Sequence, residues 1–133
     1  MSAQKGLEQW HFTMQAGNQA EDLMKLVHAD AVFHSPVVHT PQKGRDLVVR
    51  YLAAAGQTLG NDSFTYVREL VDGDNAMLEF TTEMDGVHVN GIDLIQFDGD
   101  GKIVDFKVMI RPLKAVNKVW DMMAAQLQAD AKA

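Results

Sequence analysis

The stretch AMLEFTTEMDGVHVNGIDLIQFDGDGKIVDFKVMIR, residues 76–111, decides the fold. Its apolar residues recur at every second position, the period of a strand with one buried face. Three strands are predicted, over 76–84, 87–97 and 103–111, separated by DG (85–86) and DGDG (98–101), both hairpin turn chemistry. Upstream, Phe64, Tyr66 and Leu70 alternate with Thr65, Val67 and Glu69, and DGDN (72–75) joins that strand to the others. Successive hairpins make an antiparallel meander.

The flanks keep a different period. Leu7, Trp10, His11 and Met14 fall at i, i+3, i+4 and i+7, one face of a helix that Gly17 ends. Asn18 and Glu21 have the spacing of a capping box, opening a short second helix with Leu23, Met24 and Val27 on its buried side. A third helix is predicted over 45–59, with Val48, Tyr51, Leu52 and Ala55 inward and Gly60-Asn61 as its stop. Pro112 opens a last helix with the stripe Leu113, Val116, Trp120, Met123 and Leu127, and the tail QADAKA is expected to fray. Three helices, a meander and a closing helix describe one α+β domain over 1–133, its curved sheet packed on the helices.

Composition narrows the function classes. A chain of 133 residues, 47% apolar, is long enough to bury a core. A formal net charge of −6, with no Lys or Arg run, speaks against nucleic acid and against anionic membrane surfaces as partners. Cysteine is absent, which removes disulfides, thiolate metal sites and cysteine nucleophiles. With no apolar segment near the roughly 20 residues of a membrane span, a cytoplasmic protein is expected.

Few residues carry readable chemistry. His34 and His39, in HSPVVHTP (34–41), are five apart in an extended segment, so their side chains leave opposite faces and make no metal clamp. DGDG lacks the glycine and glutamate of a calcium loop, so no metal is expected. No nucleophile elbow or phosphate-binding glycine motif occurs, and no cofactor is expected. Asp93 stands out. It shares a strand face with Val87, Val89, Gly91, Ile95 and Phe97, where a carboxylate is costly unless neutral, paired or functional. Glu79 and Glu83 lie opposite Leu78 and Phe80, on the face expected to be solvated.

HADAVFHSPVVHTPQKGRDLVVRYL (28–52), GIDLIQFDGDGKIVDFKVMI (91–110) and the RPL after it resemble the nuclear transport factor 2-like superfamily, in its SnoaL-like, ketosteroid-isomerase-like branch. That resemblance implies a cone: a strongly curved antiparallel sheet wrapped around helices, with an apolar pocket at its wide end. It places Trp10, Met14, Ser35, Phe97, Phe106, Val108 and Trp120 around that pocket. It also implies a homodimer through the outer sheet face, where Asp105, Lys107, Met109 and Arg111 would lie.

Ketosteroid isomerases carry a basic Asp before a proline, a Tyr on the first helix and a protonated Asp in the meander. Aligned without gaps, Ser35 takes the place of the base, His11 that of the Tyr, and Asp93 that of the protonated acid. Serine cannot abstract a carbon-bound proton unaided, so the ketosteroid-isomerase mechanism does not carry over as it stands, and steroid isomerisation itself is not expected. A base would have to be His11 or His39. Two functions follow. One is a cofactor-free isomerase, dehydratase or cyclase moving a proton on an apolar carbonyl compound, with Asp93 polarising the carbonyl. The other is a non-catalytic dimeric module for an apolar ligand or protein partner, which Ser35 favours.

Overall fold

A computed structural model describes residues 2–132, and the side chains of Ser2 and residues 129–132 are left aside. The elements run α1 (Ser2–Gln15), α2 (Ala20–Leu26), β1 (Val27–His34), β2 (Gln42–Lys43), α3 (Arg45–Leu59), β3 (Thr65–Asp72), β4 (Asn75–Met84), β5 (Val87–Phe97), β6 (Ile103–Arg111) and α4 (Leu113–Lys132). The sheet is curved and unclosed, in the order β2-β1-β6-β5-β4-β3. The meander forms as its alternation requires, and Asp85 and Gly86 both take positive φ (51° and 81°), the backbone of a two-residue hairpin turn.

The sheet is mixed rather than wholly antiparallel. β1 pairs in parallel with β6, aligning Phe33 with Phe106, and β2 folds back antiparallel on β1. The helical reading of the first half misses β1, because Ala29, Asp30 and Ala31 carry little strand propensity. Pairing with β6 supplies what the local sequence lacks. Val27, expected on α2, is the first residue of β1.

Two helix details also differ from expectation. Asn18 is no N-cap: α2 begins after Gln19, and Asn18 belongs to the end of α1. There the Asn18 amide donates to the Thr13 carbonyl and the Gly17 amide to that of Met14, a Schellman closure with Gly17 at φ 102°. The α4 stripe is turned by one residue: Ala115 and Val119 are buried, whereas Trp120 is 53% exposed and Leu113 faces outward. Small residues on that face let α4 approach β5 and β6 closely. Helical backbone continues to Lys132, and the expected fraying of the tail falls partly outside the described residues.

The core lies between the concave sheet face and the helices. Phe33, Phe80, Phe97 and Phe106 are its largest fully buried side chains. Phe106 stacks against Phe33, and Trp10 of α1 tilts onto the same ring at 5.1 Å between centroids. Among the described residues, no helix is long and apolar enough to cross a membrane.

Candidate functional site

Helices and sheet do not fill the space between them. A cavity of about 400 Å³ remains, walled by Trp10, His11 and Met14 of α1, Leu52 and Leu59 of α3, and Met123 of α4. The sheet side adds Phe33, Tyr66, Phe80, Asp93, Phe106, Val108 and Ile110, so every strand except β2 contributes, β6 three times. Strand alternation explains this wall, since each residue points to the concave face of its strand.

One polar chain crosses the apolar lining. The Trp10 indole Nε1–H donates to the Tyr66 hydroxyl at 3.1 Å, and that hydroxyl donates to Oδ2 of Asp93 at 3.4 Å. Asp93 is 7% exposed and pairs across the sheet with Leu78 and Val108, so apolar neighbours flank it on both sides. Burial pushes its carboxyl from 3.8 up to about 7, against a smaller downward pull from the Tyr66 hydrogen bond. Burial, and then the charge of Asp93, push the Tyr66 phenol far above its ordinary range. At neutral pH the wall therefore presents a phenol O–H beside a carboxyl group poised between its acid and its anion.

His11 lies at the rim of the same cavity. Its Nε2 is 2.6 Å from Oε1 of Glu69, and its ring meets Tyr66 edge to face at 5.5 Å. Ser35 is also on the wall, at the point where β1 ends. Its Oγ accepts the backbone N–H groups of Val37 (3.1 Å) and Val38 (3.3 Å), which makes it the hinge of a turn. We expect Ser35→Ala to cost about 1–2 kcal/mol in urea unfolding while ligand affinity stays within twofold; a tenfold loss of affinity would instead give the hydroxyl a role toward ligand.

Of the residues singled out from sequence, Trp10, His11, Met14, Ser35, Asp93, Phe106 and Val108 share this one cavity. His39, Phe97, Trp120 and His34 lie elsewhere. The Ser35–Pro36 turn carries the chain outward, so His39 stands exposed in a shallow outer groove with His34, Pro41 and Lys107. Phe97 shares the strand face of Asp93 but sits four residues along, about 13 Å away, where its ring covers Gly6 of α1. Trp120 points away with the turned face of α4. His34 binds Asp105 at 2.8 Å, outside the cavity.

Sequence spacing alone does not mark Tyr66 and Glu69 as site residues. Tyr66 was within reach of strand alternation, beside Phe64, but Glu69 was not. Among the described residues, no group of three or more His, Cys, Asp or Glu is arranged to hold a metal ion.

Comparison with known proteins bears on this geometry. Residues 7–106 match the profile of the SnoaL-like domain. A steroid delta-isomerase from Pseudomonas aeruginosa superposes with a TM-score of 0.91 at 36% identity, over 99% of this chain and 96% of that one. A protein with a cystatin-like fold from Silicibacter pomeroyi DSS-3 follows at 0.80 and 32%, over 88% and 82% of the two chains. A nuclear transport factor 2-like protein from Mesorhizobium loti, 20% identical with a TM-score of 0.70 over 84% and 92%, shares the fold. No curated protein is a significant match to the sequence.

Proposed function

Because this chain belongs to the SnoaL-like domain family, in the ketosteroid-isomerase-like branch of the nuclear transport factor 2-like superfamily, we propose that it is an isomerase that moves a proton on an apolar carbonyl compound. The observation that carries this reading is the Tyr66 hydroxyl and the Asp93 carboxyl side by side on the wall of an apolar cavity. Both can donate to a ligand carbonyl, and both act more strongly in a low-dielectric site as that oxygen gains charge. An enolate, formed by loss of a proton beside the carbonyl, is the species such a wall stabilises.

The base has to come from elsewhere than Ser35, whose oxygen is already engaged by two amides. His11 is the histidine on the cavity wall and takes that role here, while His39 does not reach it. The likeness to a steroid delta-isomerase supports a polycyclic ketone as the substrate class. Ser35 also favours a second reading, in which the cavity binds such a ligand without turning it over.

One experiment separates the two. The probes are a steroid bearing a β,γ-unsaturated ketone, followed by ultraviolet absorbance of the conjugated product, and a fluorescent naphthol whose oxygen imitates an enolate. The isomerase reading expects turnover that falls about 10²–10⁴-fold in His11→Ala, with naphthol affinity little changed. Tight naphthol binding with no turnover of the steroid or of simpler unsaturated ketones would give the protein to the second reading.

The outer sheet face supports a homodimer. Leu94 pairs across β4 with Met77, Met77 with Leu70, and Ile92 with Met109, which makes a contiguous apolar patch. Leu94 and Met109 are 36% and 46% exposed in the single chain, more than a solvated sheet face requires. Sedimentation is expected to show a dimer for the natural protein and a monomer for Leu94→Glu/Met109→Glu. A natural protein that sediments as a monomer at tens of micromolar would remove the dimer.

A further inference from the structure

Strand β3 contains one irregularity, and it falls at the site. Tyr66 pairs with Phe80, but the next pair is Arg68 with Glu79, followed by Glu69 with Leu78. One extra residue, Val67, is accommodated in between. In a regular strand Tyr66 and Glu69, three apart, would point to opposite faces. The bulge brings both to the concave side, opposite the inward-facing Phe80 and Leu78, and turns Arg68 to the convex side, where it meets Glu79 at 3.3 Å.

Glu69 is thereby delivered to His11. The two are 2.6 Å apart, through Nε2 of the imidazole. A carboxylate at Nε2 keeps the N–H there, so the lone pair of the neutral ring resides on Nδ1. Tyr66, on the other side of the bulge, holds the same ring edge to face. Two residues of one strand thus fix both the tautomer and the tilt of the imidazole. The fold has little need of this pair for stability: the side chains are 34% and 44% exposed, and ion pairs in that setting contribute little.

We propose that Glu69 is the positioning residue for His11, and that Nδ1 of His11 is the atom that takes and returns the proton. This rests on the isomerase reading above. The C–H bond beside the carbonyl breaks, its electron pair becomes the C=C of a dienolate, and the carbonyl π pair moves to the oxygen, which accepts hydrogen bonds from Tyr66 and protonated Asp93. The proton rests on Nδ1 of an imidazolium paired with Glu69. It then passes to the γ-carbon, where the β,γ π pair forms the new C–H bond. The enolate oxygen re-forms the C=O, its C=C pair becomes the α,β double bond, and protons and electrons balance.

The test combines kinetics on the same unsaturated steroid with nitrogen NMR of the histidine ring. In Glu69→Gln, kcat is expected to fall at least tenfold, with KM and naphthol affinity within twofold and an unchanged unfolding midpoint. In the natural protein the His11 ring is expected as the Nε2–H tautomer, and Glu69→Ala is expected to mix the two tautomers. Turnover of Glu69→Gln within twofold of the natural protein, or an Nδ1–H tautomer in the natural protein, would overturn the assignment. Should the natural protein turn nothing over, the isomerase reading fails by that result alone. The tautomer then still decides whether Glu69 positions His11.

Discussion

Asp93→Asn is expected to make the protein more stable above neutral pH and less active below it. The Asp93 carboxyl, about 7 in the folded protein against an ordinary 3.8, keeps a proton that the unfolded chain gives up. Between about pH 4 and pH 7 the folded state therefore binds more protons, and stability falls as pH rises through that window. At about 1.4 kcal/mol per pH unit, the loss is on the order of 4 kcal/mol by pH 7, and constant beyond it. Asparagine has no charge to bury, so the variant lacks this slope. Urea unfolding should show the two proteins alike near pH 4 and the variant ahead by several kcal/mol at pH 8.

Turnover moves the other way. The amide keeps an acceptor for the Tyr66 hydroxyl and offers a developing enolate an N–H, a weaker acid than the carboxyl O–H it replaces, so kcat below pH 7 should fall about tenfold. In the natural protein, activity should likewise decline above pH 7, as ionised Asp93 ceases to donate. A flat stability profile for the natural protein from pH 4 to 8 would mean that Asp93 titrates normally, and the carbonyl-polarising role would fall with it.

Phe97→Ala is expected to lower stability by about 3–5 kcal/mol and leave the ligand site alone. The ring is buried at the end of β5. It packs so closely on α1 that a β-carbon at Gly6 would stand 2.2 Å from its Cδ1. Truncation opens a void under α1 that neighbouring rings cannot fill, because the backbone there is fixed by the hydrogen bond from the Phe97 amide to the Asp74 carbonyl. Urea midpoints report the loss, and naphthol affinity within twofold of the natural protein reports the separation from the cavity. A variant of unchanged stability with weakened naphthol binding would return Phe97 to the pocket wall.

Much of this architecture is legible in the chain itself. Alternation and Asp-Gly turns define three strands of the meander, and helical spacing with Gly60 defines α3. Asp93 is legible too, because an acid in a strict period-two apolar run can only be a costly or a purposeful group. The family resemblance leads to the expectation of a pocket and draws attention to Ser35, whose hydroxyl the structure engages in a turn.

What the sequence determined, then, is which faces exist and which acid is misplaced among apolar neighbours, because both follow from periods of 2 and 3.6 along a single segment. Tertiary structure alone decided where each face begins and ends. Strand β1 exists because β6 lies beside it, and Trp120 points outward because the small face of α4 docks closer to the sheet. Phe97 misses the cavity because one strand face outruns it. Glu69 joins His11 because one residue of β3 bulges out of register with β4. A one-residue bulge or a one-residue turn of a helix reverses a side chain, and only contacts with a partner element set either.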